Sequence, residues 1–285
     1  MMLDKNKRIL IIGLGLMGGS YAKALSKKGY HIEALTLEQK DIDYALMCGM
    51  IERGYTEPSE ESVSHADIIV FALYPHTFLD WVKNYGYLIK KGAIVTDLTG
   101  VKSGIVRPVQ EMLPQAEFIS AHPMAGRELY GVEHSDDTVF AGANYIVVPT
   151  EKNTPEAIEF CKTLGRELGF SRITELGEHE HDEMIAFLSQ LTHCIAVSLM
   201  TCRDKCEHFV DYTGDSFRDL TRIAKINDGM WSELFLMNKE ALSEQMRLFE
   251  DEFHRMRELL EADDREGLRD MMRRSTARRK LFDKK

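Results

Sequence analysis

Two stretches of this sequence combine residue types that can move a proton or hold an anion. In Ser120-Ala121-His122-Pro123-Met124-Ala125-Gly126-Arg127-Glu128, a histidine follows an apolar run that reads as a strand and precedes a proline. That placement holds the ring at the mouth of a sheet. A neutral imidazole there can accept a hydroxyl proton while hydride leaves the same carbon. An unperturbed imidazole would lose this capacity as pH falls through about 6.5. The second stretch, Thr96-Asp97-Leu98-Thr99-Gly100-Val101-Lys102-Ser103, likewise follows an apolar run, and strand ends of this kind are where doubly wound sheets carry their ligands.

The element that would bring a hydride acceptor to His122 lies near the start of the chain. Arg8-Ile9-Leu10-Ile11-Ile12 reads as a strand buried on both faces and runs directly into Gly13-Leu14-Gly15-Leu16-Met17-Gly18. This is GxGxxG between a strand and a helix, the context in which it binds a dinucleotide. Gly13 permits the tight turn, Gly15 admits a pyrophosphate close to the backbone, and Gly18 lets the helix sit on the sheet. The helix running to Gly29 then presents its N–H groups and positive dipole end to the phosphates.

The strand-helix alternation continues. His31–Thr36, Ala66–Leu73, Gly92–Leu98, Ala116–Ala121, Ala143–Pro149 and Ser171–Leu176 read as strands of one sheet, with helices at Asp41–Cys48 and Thr154–Leu168. Leu73-Tyr74-Pro75 and Thr99-Gly100 end two of these strands beside the expected cofactor. At the end of the second strand, where an acidic residue usually takes the ribose hydroxyls, stands Thr36. Glu38 can still reach the ribose and Lys40 can instead meet a 2′-phosphate, so NAD is expected with NADP left open. From His179 onward there is no proline and almost no β-type run. The boundary is placed near Gly177, giving a dinucleotide-binding domain at 1–176 and a helical domain at 177–285, the latter opening with a long helix over Glu178–Leu199. The methionines and aromatics from Met230 to Met256 suit a core and a subunit interface, hence a homodimer.

Composition narrows the remaining choices. A formal net charge of -10 argues against nucleic acid as a partner. Cys48, Cys161, Cys194, Cys202 and Cys206 show no CxxC spacing, so neither a disulfide framework nor a metal site is expected. No apolar run reaches membrane-spanning length, which predicts a cytoplasmic protein with no membrane partner.

The phrases His122-Pro123-Met124-Ala125-Gly126, Leu191-Thr192-His193 and Phe217-Arg218-Asp219-Leu220-Thr221-Arg222-Ile223-Ala224, in this order behind a GxGxxG, resemble the prephenate/arogenate dehydrogenase family. His181-Asp182 and Met230-Trp231 belong to the same resemblance, which covers almost the whole chain. It implies a Rossmann-like α/β domain followed by an all-α dimerisation domain. It also implies NAD-dependent oxidative decarboxylation of prephenate to 4-hydroxyphenylpyruvate, with arogenate as the alternative substrate and a non-catalytic NAD(P)-binding dimer as the alternative of another class. Under it His122 is the catalytic histidine, His193 helps hold the substrate, and Arg222 binds a substrate carboxylate, a task suited to a planar charged fork. Glu128, Asp182 and Asp219 match acidic positions that pair with that arginine or border the pocket. The sequence departs from the pattern where the family commonly has a serine before Val101-Lys102: this chain has Gly100, and Thr99 is the neighbouring hydroxyl that would serve. Gln190 and Thr192 stand where His and Pro are common, which leaves His193 of two histidines.

Overall fold

A computed structural model describes residues 3–127, 129–204 and 207–283; Glu128, expected at the substrate, and Cys206 lie outside them. The first strand, β1 (Arg8–Ile12), is as apolar as its position demands: Ile9 and Ile11 enter one core cluster while Leu10 and Ile12 enter the other. Both faces of the sheet are therefore covered. Along the chain follow α1 (Leu16–Ser26), β2 (His31–Leu35), α2 (Gln39–Met47), β3 (Arg53–Tyr55), α3 (Glu60–Val63), β4 (Ile68–Phe71), α4 (Pro75–Tyr85), β5 (Ile94–Asp97), α5 (Val106–Met112) and β6 (Glu117–Phe118). These strands form one six-stranded parallel sheet in the order β3-β2-β1-β4-β5-β6. The order reverses between β1 and β4, the point beyond whose strand ends sheets of this kind bind their ligands. Helices α1 and α2 pack on one face, α4 and α5 on the other. The expected strands did not include β3, a three-residue edge strand whose Arg-Gly-Tyr sequence carries no apolar run.

The expectation of a single sheet is corrected at Ile119. The run 116–121 divides there: β6 pairs with β5, Ile119 N–H still reaches Val95 O at 2.9 Å, and then β7 (Ser120–Met124) leaves for a second sheet. That sheet has three strands: β7 antiparallel to β8 (Asn144–Val148), and β8 parallel to β9 (Arg172–Glu175), with α6 (Pro155–Leu168) between β8 and β9. Pro123 is tolerated in β7 because β7 is an edge strand.

Beyond β9 the chain is helical. Helix α7 (Glu178–Ile185) runs through a π turn at Ala186–Gln190 into α8 (Leu191–Thr201), followed by α9 (Asp215–Thr221) and α10 (Asp228–Met237). The continuous helix over Glu178–Thr201 contains an 18-residue stretch with a mean hydropathy of 1.5, enough by length and composition to cross a bilayer, which corrects the expectation that no apolar run is that long. Its buried polar groups are nevertheless bonded to other segments of the protein: Asp182 to the backbone of Lys102 and Ser103, Gln190 to Leu234 O. This is how a helix of a folded core satisfies its polar side chains. The chain divides into two compact units, one reaching to Asn238 and one starting at Lys239. The second is a helical hairpin of α11 (Lys239–Glu261) and α12 (Arg265–Arg279), with Leu242 and Met271 buried and Phe253, Leu260 and Met272 exposed.

Candidate active site

The glycine turn has three different steric requirements. Gly13 has φ 101°, and a Cβ there would lie 2.5 Å from Ala72 O, so the turn off β1 excludes a side chain twice over. A Cβ on Gly18 would overlap the Gly13 carbonyl; the helix start needs that close approach. Gly15 differs, because a Cβ there would meet nothing within 4 Å. It is also the N-cap of α1 and no side chain caps the helix, so the first N–H groups face an open cradle suited to an anion. A dinucleotide diphosphate fits this turn. Leu14 and Leu16 point into the core, Met17 packs against it, and Leu73 covers the turn beside Gly13. Tyr74 caps α4 and takes a hydrogen bond from Asn227 at 3.1 Å, while Pro75 begins that helix and is buried. Thr36 sits just past β2 with its N–H on Tyr55 O.

His122 lies on β7 opposite Ile146. Its Nδ1 is 2.9 Å from His181 Nε2, and His181 Nδ1 is 2.7 Å from Asp182 Oδ1. Asp182 Oδ1 and Oδ2 also accept the backbone N–H groups of Lys102 (2.9 Å) and Ser103 (2.7 Å), so the carboxylate expected to pair with the arginine or border the pocket is bonded to a loop and a histidine. His181 is 0% exposed and Asp182 2%. Burial, then His181 and then Lys102, hold the His122 pKa well below the unperturbed 6.5. Burial likewise lowers His181, against the pull of Asp182. Asp182 is raised by burial but lowered overall, chiefly by the hydrogen bond from His181 and those from Ser103.

A buried ion pair fixes the loop beside His122. Lys102 Nζ donates to Asp97 Oδ2 at 3.0 Å and to Ala121 O, the carbonyl before His122, at 2.7 Å. Ser120 Oγ donates to Asp97 Oδ1 at 2.5 Å. Lys102 and Asp97 are both 0% exposed, so each needs the other and the hydrogen bonds around them. Thr99 does not take the place of the missing serine: its hydroxyl is turned inward against Asp97 and accepts from Lys102 Nζ at 3.2 Å. Gly100 is the position that faces the histidine, since a Cβ there would lie 3.9 Å from His122 Nε2 and 3.5 Å from Leu234.

On the helical side, His193 Nδ1 donates to Ser189 O at 2.8 Å, and its ring lies on Trp231 with centroids 3.8 Å apart. Leu234, one turn along α10 from Trp231, packs at Gly100, so one helix face links His193 to the loop beside His122. Arg222 opens a short turn, Arg222–Ala224, that packs against α8. It is exposed, as is Asp219 on α9; on that helix Arg218 and Asp215 form an ion pair at 3.1 Å. Gln190 and Asn238 bond at 2.8 Å, and Asn238 also reaches Asp182 O, closing a buried network under the His181-Asp182 turn. The sequence reading did not single out His181, Lys102 or Asp97 as site residues. His181 and Lys102 lay inside phrases already noted, but their contacts span 59 and 19 residues, which spacing does not reveal.

Comparison with known proteins gives the same picture at the level of whole domains. Residues 21–173 match the family model described as prephenate dehydrogenase, nucleotide-binding domain, and 178–274 match prephenate dehydrogenase, dimerization domain. The first match begins past the glycine turn, whose role therefore rests on its geometry. A prephenate dehydrogenase of Bacillus subtilis is 28% identical over 91% of this chain and 72% of its own length. One of Lactococcus lactis is 30% identical over 85% of this chain and 68% of its own. The crystal structure of prephenate dehydrogenase from A. aeolicus in complex with hydroxyphenyl propionate and NAD+ superposes with a TM-score of 0.89 and 29% identity, covering 97% of this chain and 98% of that one.

Proposed function

The chain belongs to the prephenate dehydrogenase family, and from that premise we propose how its residues carry out the NAD-dependent oxidation of prephenate on the route to tyrosine. When bound, NAD⁺ supplies the hydride acceptor. The Gly13–Gly18 turn and the start of α1 hold its diphosphate, with Thr36, Leu73, Tyr74 and Pro75 along the strand ends. His122 accepts the proton of the ring hydroxyl at Nε2 as hydride leaves the same carbon. The Lys102-Asp97 pair keeps the loop and the carbonyl before His122 in place. Arg222 binds a substrate carboxylate and His193, its ring packed at a tilt against Trp231, helps orient the ring. Loss of carbon dioxide needs no nucleophile, because it makes the ring aromatic; the residues have only to orient the substrate and match its charge. The product is 4-hydroxyphenylpyruvate.

The observation that carries this reading is His122 itself, bonded at Nδ1 to His181, with Nε2 beside Gly100 and its pKa lowered by burial. We assign dinucleotide binding to 1–176, and substrate binding and dimerisation to 177–285. Exposed Phe187, Leu188, Phe217 and Leu220 give the helical part apolar surface for a second copy. The substrate is a small molecule, and a net charge of -10 supports the absence of a nucleic-acid partner. The test is to incubate the purified protein with prephenate or arogenate and with NAD or NADP, following reduced nicotinamide. Prephenate with NAD should give the fastest reduction; reduction with arogenate alone would move the substrate assignment, and none with either would remove it.

A further inference from the structure

The contacts behind His122 form a directed chain. Among the described residues, the partners of the Asp182 carboxylate are all donors: the N–H groups of Lys102 and Ser103 and the Nδ1 of His181. A carboxylate in that setting is an acceptor, so His181 carries its proton on Nδ1 and, when neutral, has a bare Nε2. That bare nitrogen is 2.9 Å from His122 Nδ1, which must then be the donor. His122 is left with its lone pair at Nε2, the atom 3.9 Å from the position of a Cβ on Gly100.

We propose that Asp182, His181 and His122 form a proton relay, in which His181 takes the Nδ1 proton of His122 as His122 Nε2 takes the proton of the substrate hydroxyl. The proposal rests on the reading of His122 as the base and adds a destination for the proton. The step balances: one proton enters at Nε2, one leaves Nδ1, His122 ends neutral in its other tautomer, and His181 becomes an imidazolium against the Asp182 carboxylate. Reversal after product release returns the proton through Nε2 to water. The charges facing the pair favour this direction. Asp182 touches His181 and does not touch His122, while the ammonium of Lys102, partly offset by Asp97, bears on both rings. Among the described residues, no carboxylate is hydrogen-bonded to His122, whereas a proton on His181 has one at 2.7 Å. Asn238, itself bonded to Gln190, donates to the Asp182 carbonyl and ties the backbone beside the relay to a buried network. His181 thus acts through His122 and is a positioning and proton-accepting residue, with no substrate contact of its own.

The test uses the full chain with ¹⁵N-labelled histidine. Near neutral pH both His122 and His181 should show the Nδ1–H tautomer, and on acidification His181 should be the first of the two to become doubly protonated. Two variants separate relay from positioning. His181→Phe removes the acceptor for His122 Nδ1 and should lower kcat by about 10- to 100-fold, with KM for prephenate within about twofold. His181→Gln keeps an amide oxygen near the old Nε2 position, so His122 should stay in the Nδ1–H tautomer while kcat remains about tenfold or more below wild type, because an amide cannot take the proton. Wild-type kcat in His181→Gln, or an Nε2–H tautomer for His122 in the native protein, overturns the relay. His122→Asn is the control for the underlying reading: turnover surviving in it would remove His122 as base, whereas a dead His122→Asn beside a fully active His181→Gln would remove the relay alone.

Discussion

Alanine placed at Gly15 and at Gly18 should separate the fold of the glycine turn from its ligand function. At Gly15 the backbone is extended, with φ -84° and ψ -164°, a conformation open to any L-residue, and a Cβ meets no atom within 4 Å. Gly15→Ala should therefore fold normally and lose only a fraction of a kcal/mol at the helix cap, up to about 1. The same methyl stands where the diphosphate must approach the first N–H groups of α1. Losing one or two charge-assisted hydrogen bonds at about 1.5–3 kcal/mol in all corresponds to a rise in Kd for NAD of about 10- to 150-fold. At Gly18 the methyl would overlap the Gly13 carbonyl, and Ala72 Cβ lies only 3.0 Å from its position. Forcing the helix off the turn should cost about 1–3 kcal/mol or more and lower Tm as well as NAD affinity. Thermal unfolding without ligand and calorimetric titration with NAD measure the two effects. A destabilised Gly15→Ala with unchanged Kd, or a Gly18→Ala with native Tm and Kd, would refute the steric assignment.

Three further outcomes follow from the site. Only neutral His122 accepts a proton, and burial with His181 and Lys102 holds its pKa well below 6.5, so kcat/KM should stay level as pH falls through 6.5 and decline only well below it; an acid limb at or above 6.5 would contradict the burial. Arg222→Ala should raise KM for prephenate tens-fold or more, from a lost carboxylate pairing worth about 2–5 kcal/mol, and Arg222→Lys should recover part of it, with NAD affinity unchanged in both. A normal KM with a lowered Tm would give Arg222 a bracing role instead. Thr36→Asp should sharpen the preference for NAD over NADP, measured as the ratio of kcat/KM values, because a carboxylate there accepts the ribose hydroxyls and repels a 2′-phosphate; undiminished NADP use would show that Thr36 does not face the ribose.

What was legible in the sequence follows from which interactions are local. Ile9–Ile12 and Ile68–Phe71 announce themselves as strands buried on both faces, and the glycine turn between strand and helix is written within a few residues. Arg53–Tyr55 is a strand only because β2 lies beside it, through Thr36 N–H to Tyr55 O and the Glu33-Arg53 register, and no apolar pattern records that. The break at Ile119 is invisible for a related reason: extended residues continue unbroken from β6 to β7 and only their pairing changes. His122 was legible from the apolar run before it and the proline after it, although it sits within β7 and not on a loop, and its partner His181 lies 59 residues away on another element. Thr99 was misread because neighbours in a loop point in different directions, inward at Asp97 for Thr99 and toward His122 for Gly100.

The central claim is that this chain oxidises prephenate with His122 as the proton acceptor. The most direct measurement is the rate of nicotinamide reduction from prephenate by the native protein and by His122→Asn, together with the NAD affinity of each. The native protein should reduce NAD with prephenate, and His122→Asn should bind NAD as before while kcat falls by about 10²- to 10⁴-fold. A variant within about threefold of the native rate, or a native protein that leaves NAD unreduced in the presence of prephenate, would contradict it.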